Sequence, residues 1–154
     1  MKARLFILAI SLVYVFSLCI MGISNFCYNY AQGAGGEGAF YKTVKYLEAS
    51  GLLNPLNSDI SYAKFNVYNE KFNKAKGLVA PEKIELLNDA LRALKRSIDL
   101  RPTEASYHMF YGITLLKRYP LKSGVIYKEA KRELLKASEL KPVSKRYETI
   151  ANRF

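Results

Sequence analysis

Side chains able to do chemistry are few in this 154-residue chain: one histidine, His108, and two cysteines, Cys19 and Cys27. Acid–base catalysis and metal binding need several such groups converging with matched acidities. The inventory therefore excludes most metal constellations before any geometry is considered. His108 stands in the run TEASYHMFYG and reads as core or groove lining rather than a general base. Glu82, Glu85 and Asp89 crowd the start of one helix, where carboxylates meet the positive end of its dipole. That accounts for them without a catalytic pair. No serine or cysteine sits in a nucleophile elbow. The stretch Gly33-Ala34-Gly35-Gly36-Glu37-Gly38 is dense in glycine, but no Gly-Lys-Ser/Thr follows and no strand precedes it. A flexible tether is its natural reading. The expectation is a protein that is not an enzyme and holds no cofactor and no metal.

Charge gives a second lead. Lys and Arg number 24 against 13 Asp and Glu, a formal net charge of +11, which favours anionic partners. Lys128, Arg132 and Lys136 form one basic row at helical spacing, and Arg92, Lys95 and Arg96 form another. Like charges so stacked cost about 0.2–0.5 kcal/mol per pair in a helix, which points to an anionic neighbour such as lipid or glycan. Glu129 and Glu133 dilute the first row, so a plain solvated face is the favoured reading and an anionic neighbour the alternative.

The N-terminal residues set the location. Lys2 and Arg4 precede the uncharged run Leu5–Ile23, which is long enough for a helix to cross a bilayer. Asn25, Phe26, Tyr28 and Tyr30 follow and suit an interfacial belt, and the next basic residue is Lys42. The positive-inside rule then keeps the N-terminus in the cytoplasm and places the remainder outside. A cleaved signal peptide is the rival reading, with Ala31-Gln32-Gly33 as its nearest small-x-small site, well past the apolar end. Cys19 and Cys27 cannot easily bridge within one helix, since eight residues rise about 12 Å. The expected layout is a cytoplasmic stub and anchor (1–31), a glycine-rich linker (32–38) and a helical domain (39–154). The expected localisation is a single-pass inner (plasma) membrane protein with a periplasmic or extracellular domain. Such a place, and the lack of any nucleic-acid motif, argue against nucleic acid.

From Ala39 on, helical period dominates and the expected class is all-α. Thr43, Leu47 and Ser50 share one side of a helix that closes at Pro55. Ser58 or Asp59 is placed to cap the next, which carries Ile60, Ala63, Val67 and Phe72. Pro81 suits a first helical position. The following helix carries a stripe of Leu87, Ala90, Leu91, Leu94 and Ile98 and stops at Pro102. Thr103 is a fair cap for the next helix, through Tyr107, Tyr111 and Leu115, with Gly112 in its middle. A glycine there is unfavourable by about 1 kcal/mol against alanine and suits a place where another helix comes very close. The helix with Ile126, Ala130, Leu134 and Ala137 stops at Pro142, and a short one takes Val143 to about Ala151.

Three corners repeat a pattern. At the same offsets before Pro55, Pro102 and Pro142 stand Thr43, Leu47 and Ser50; Ala90, Leu94 and Ser97; and Ala130, Leu134 and Ala137. Small–large–small–Pro three times over is a repeat signature. The chain resembles the tetratricopeptide repeat (TPR), in which helical hairpins stack into a right-handed superhelix. Tyr111-Gly112 matches the Leu-Gly of that family's first helix, whereas Asn66-Val67 departs from it, and the corners lie further apart than the family norm. LNPLNSDISY and LRPTEASYHMFYG also look like repeats in bacterial cell-envelope glycan ligase and polymerase proteins.

The resemblance implies a short TPR-like solenoid, whose concave face is lined by the first helix of each repeat. Carried over residue by residue, that face holds Lys64, Tyr68 and Lys71, then Ser106, Met109, Ile113 and Lys117. The expected function is a membrane-anchored scaffold or adaptor that binds a protein partner. One alternative is a structural accessory subunit of a larger envelope complex, with Ala9, Ser11, Ser17 and Gly22 allowing close approach of other membrane helices. The other is an anionic glycan- or lipid-binding module using the basic rows.

Overall fold

A computed structural model describes residues 2–33, 39–75, 79–119, 124–142 and 149–150. It contains six α-helices and no strand among the described residues: α1 (Lys2–Gly33), α2 (Ala39–Leu53), α3 (Ser58–Lys74), α4 (Ala80–Leu100), α5 (Ala105–Arg118) and α6 (Gly124–Leu140). The chain is all-α. It forms two compact units, Met1–Ile60 and Ser61–Phe154. The division falls within the stretch 39–154 that the sequence reads as one domain. Most of the glycine-rich linker, the Gly77 turn, the Lys122-Ser123-Gly124 loop up to Ser123, and most of the last short helix lie outside the described residues.

In the first unit α1 is 32 residues long, about 48 Å at 1.5 Å per residue. A hydrocarbon core is about 30 Å thick. The helix is thus long and apolar enough to cross a membrane with turns to spare. From Phe6 to Ile23 every side chain is exposed except Ile20, which is half-buried. Past this run Ser24 and Ala31 are fully buried, and Cys27 and Tyr28 are half-buried between them. Ile20, Ser24, Cys27 or Tyr28, and Ala31 form one stripe at helical spacing, and α2 packs on it. The facing residues of α2 are Thr43, Leu47 and Ser50, all buried.

In the second unit α5 lies against both α4 and α6. Tyr62 and Phe65 of α3 meet Tyr107 and Phe110 of α5 through their rings, with centroids 4.9 Å apart for Tyr62–Tyr107 and 5.4 Å for Phe65–Phe110. Such offset, tilted pairs add to simple burial. Met109, Leu134 and Ala137 form a core between α5 and α6, with Phe110, Ile113, Leu116 and Ile150 packed around it. All nine residues of the three small–large–small sets are buried. Val67, Phe72, Leu91 and Ile98 are only half-buried, while Phe65, Tyr68 and Ala93 are buried instead.

The helix ends follow local chemistry. Arg101 precedes Pro102 and leaves the helical region, with φ −142° and ψ 77°. Pro81 falls at the first or second position of α4. The caps differ from expectation. Asn57 caps α3: its Oδ1 accepts from the Asp59 amide at 2.9 Å. Glu104, not Thr103, caps α5: its carboxylate accepts from the Ser106 amide and, at 2.8 Å, from the Ser106 hydroxyl. In both cases the capping oxygen reaches an amide two residues on.

Candidate functional site: helix faces and a buried polar pair

At Gly112 helices α5 and α6 come very close. A Cβ there would lie 2.8 Å from Leu134 Cγ and 2.9 Å from the Ala130 carbonyl oxygen. Only hydrogen fits, because one of the two obstacles is backbone. The partner helix is α6, and the same close approach brings two carboxylates of α6 to side chains of α5.

The first is Glu133. Its Oε2 lies 2.7 Å from His108 Nδ1, and His108 Nε2 lies 2.8 Å from the Pro102 carbonyl oxygen. A carbonyl only accepts, so Nε2 carries a hydrogen and donates it. One further proton is then held between Nδ1 and Oε2. The ring is fully buried, and both nitrogens are engaged. Pro102 thus both ends α4 and offers the acceptor that orients this ring. The second carboxylate is Glu129, which accepts from the Tyr111 hydroxyl at 3.2 Å. Burial, then the Glu129 charge and this hydrogen bond, push the Tyr111 phenol up to about 12.

These contacts alter the reading of the basic row. Glu129 and Glu133 turn towards α5, whereas Lys128, Lys131, Arg132 and Lys136 are exposed. With Tyr127, Leu135 and Glu139 these cations line a shallow groove of about 430 Å³ along α6. Arg132 also donates to Glu133 Oε1 at 3.3 Å. The second row is more dispersed. Arg92 pairs with Asp89 one turn back, and Lys95 and Arg96 are exposed.

Residues expected on a concave face fall into two groups. Tyr68 and Met109 are buried, Met109 within the α5–α6 core, so they serve packing. Lys64, Lys71, Ser106 and Ile113 are half-buried, and Lys117 is exposed. Ser106 is engaged with Glu104, and Ile113 packs on the α5–α6 core. Lys117 reaches from α5 to α3: its Nζ donates to Asn69 Oδ1 at 3.3 Å and lies 5.8 Å from the Phe72 ring centroid. Asn69 is the neighbour that spacing alone did not single out, and Phe72 reads from the sequence only as part of the apolar stripe of α3.

On α1, the Ser11 and Ser17 hydroxyls each donate to a carbonyl one turn back, at 2.9 Å, and open space surrounds Gly22. Among the described residues no three His, Cys, Asp or Glu side chains converge in a way that could hold a metal ion. No protein-family model matches the chain, and neither does any curated protein.

Proposed function

We propose that this chain is a membrane-anchored scaffold of TPR type, which captures a protein partner on the outer face of an inner or plasma membrane. The observation that carries this reading is the continuity of α1. Its apolar, exposed portion runs without a break into the turns on which α2 packs. A segment destined for removal has no need of a folded partner for its last turns. Ala31, at the nearest small-x-small site, is buried, which disfavours cleavage there. The positive-inside rule leaves Lys2 and Arg4 in the cytoplasm. The repeat reading is supported by burial of all three small–large–small sets and by the adjacency of α3 and α5, the first helices of the two full repeats. Lys64, Lys71 and Lys117 are then the cations that meet the partner.

The test uses the full chain in mild detergent. Lys64→Glu, Lys71→Glu and Lys117→Glu together are expected to abolish partner capture and leave helicity and thermal midpoint near their original values. Undiminished capture by the folded triple variant would contradict the assignment.

The sorting of charge on α6 favours a second reading, an anionic surface met by Lys128, Lys131, Arg132 and Lys136. Binding to anionic lipid or glycan would then weaken steeply with salt, since exposed charges are screened beyond about 8–10 Å at physiological ionic strength.

A further inference from the structure

We infer that the corner between α2 and α3 is a second membrane contact, with Leu52 and Leu56 entering the acyl boundary of the bilayer that α1 spans. This rests on the reading of α1 as a spanning helix. Within the first unit the register between α1 and α2 sets the depth of this corner. Ser24 meets Ser50, Tyr30 meets Tyr46 with ring centroids 4.6 Å apart, and Lys42 lies 5.2 Å over the Tyr30 ring. As residue numbers rise on α1 they fall on α2, so the helices are antiparallel. Everything in α2 beyond Ser50 therefore lies alongside α1 residues before Ser24, inside the apolar run. Ile20 bears this out: it is the one residue between Phe6 and Ile23 that is half-buried.

At that depth the chain presents Leu52, 83% exposed, and the corner that follows α2 presents Leu56, 78% exposed. Large apolar side chains that stand out this far are unfavourable in water and favourable at the acyl boundary. From Ala49 to Ser58 the sequence carries no charge, with Glu48 and Asp59 flanking it. The corner holds part of its own backbone in internal hydrogen bonds, which lowers the cost of a place poor in water. The Asn54 amide donates to the Ser50 carbonyl at 2.9 Å, and the Asn57 amide donates to the Asn54 carbonyl at 3.3 Å. Asn54 and Asn57 suit the headgroup layer rather than the hydrocarbon centre. The ligand is thus the acyl and glycerol region of phospholipid, reached from the side by a loop that does not span.

The chain contains no tryptophan, so a single introduced indole reports its own depth. Leu52→Trp, Leu56→Trp, Phe16→Trp and Tyr41→Trp each place it at an exposed position. The full chain is reconstituted in phosphatidylcholine vesicles, and emission is quenched either by lipids spin-labelled on the acyl chain or by aqueous acrylamide. Phe16→Trp reports on the anchor, and Tyr41→Trp, at the far end of α2, reports on solvent. Expected are several-fold stronger lipid quenching and a blue-shifted emission for the two leucine positions relative to Tyr41→Trp. Lipid quenching at Phe16→Trp with water-like behaviour at Leu52→Trp and Leu56→Trp would overturn the inference and leave the anchor standing. Water-like behaviour at Phe16→Trp would overturn both.

Discussion

Ser24 and Ser50 clasp α1 to α2 by exchanging hydrogen bonds: the Ser24 hydroxyl donates to the Ser50 carbonyl at 3.0 Å, and the Ser50 hydroxyl donates to the Ser24 carbonyl at 2.9 Å. Both residues are fully buried, and their hydroxyl oxygens are 3.1 Å apart. Two side chains this small allow the backbones to come close, and each also fills the other's acceptor. The clasp sits at the first residue after the apolar run, where the exposed part of α1 gives way to the stripe that α2 covers. Replacing either serine by alanine should cost about 0.5–1.5 kcal/mol. Ser24→Leu should cost about 1–3 kcal/mol, because it wedges the helices apart. Thermal unfolding in detergent, followed by circular dichroism, measures both.

The His108–Glu133 pair makes a different claim. Removing one partner strands a buried polar group, whereas removing both does not. His108→Leu and Glu133→Leu should each destabilise the second unit by about 2–4 kcal/mol. The double variant should lose clearly less than the sum of the two, since residues in contact couple by about 0.5–3 kcal/mol. A double-mutant cycle in denaturant is the measurement.

Gly112→Ala tests the helix contact. Alanine is the better helix former by about 1 kcal/mol, so on propensity alone the variant would be more stable. The Cβ would meet the Ala130 carbonyl oxygen at 2.9 Å and Leu134 Cγ at 2.8 Å, and overpacking of this kind costs about 1–3 kcal/mol. The expected result is net destabilisation, seen as a lowered thermal midpoint.

Tyr111 carries a pH signature. Its phenol is pushed from the ordinary 10 up to about 12, first by burial and then by Glu129. The folded state therefore holds a proton that the unfolded chain releases. That contribution to stability is fully present below about pH 10 and is lost as pH rises through about 12. In a spectrophotometric titration of phenolate absorbance Tyr111 should ionise late. Glu129→Gln should move it down without restoring the ordinary value, because burial remains.

Much of the helical layout was legible because helix burial has a fixed period. Thr43, Leu47 and Ser50 lie on one stripe wherever the partner is, and Pro102 stops a helix whatever surrounds it. What the sequence could not display was the partner of each stripe. Ser24 reads as a polar residue trailing an apolar run, and only the fold shows Ser50 opposite. Glu129 and Glu133 look like acids that dilute a basic row, since helical angle alone does not reveal that α5 draws both inward. Met109 and Tyr68 sit where the resemblance implies a lining, yet their side chains turn into the packing. The cap at Glu104 escaped because Thr103 before it is the commoner capping type, and Asn57 because Ser58 and Asp59 after it are capping types as well.

The central claim is that α1 stays with the chain and ties the helical hairpins to a bilayer. The most direct test is the intact mass of the protein recovered from alkali-washed membranes. A mass that includes the residues from Met1 or Lys2 onward, in the pellet, is expected. A mature chain that begins after Gly33 and is released by the wash would contradict it.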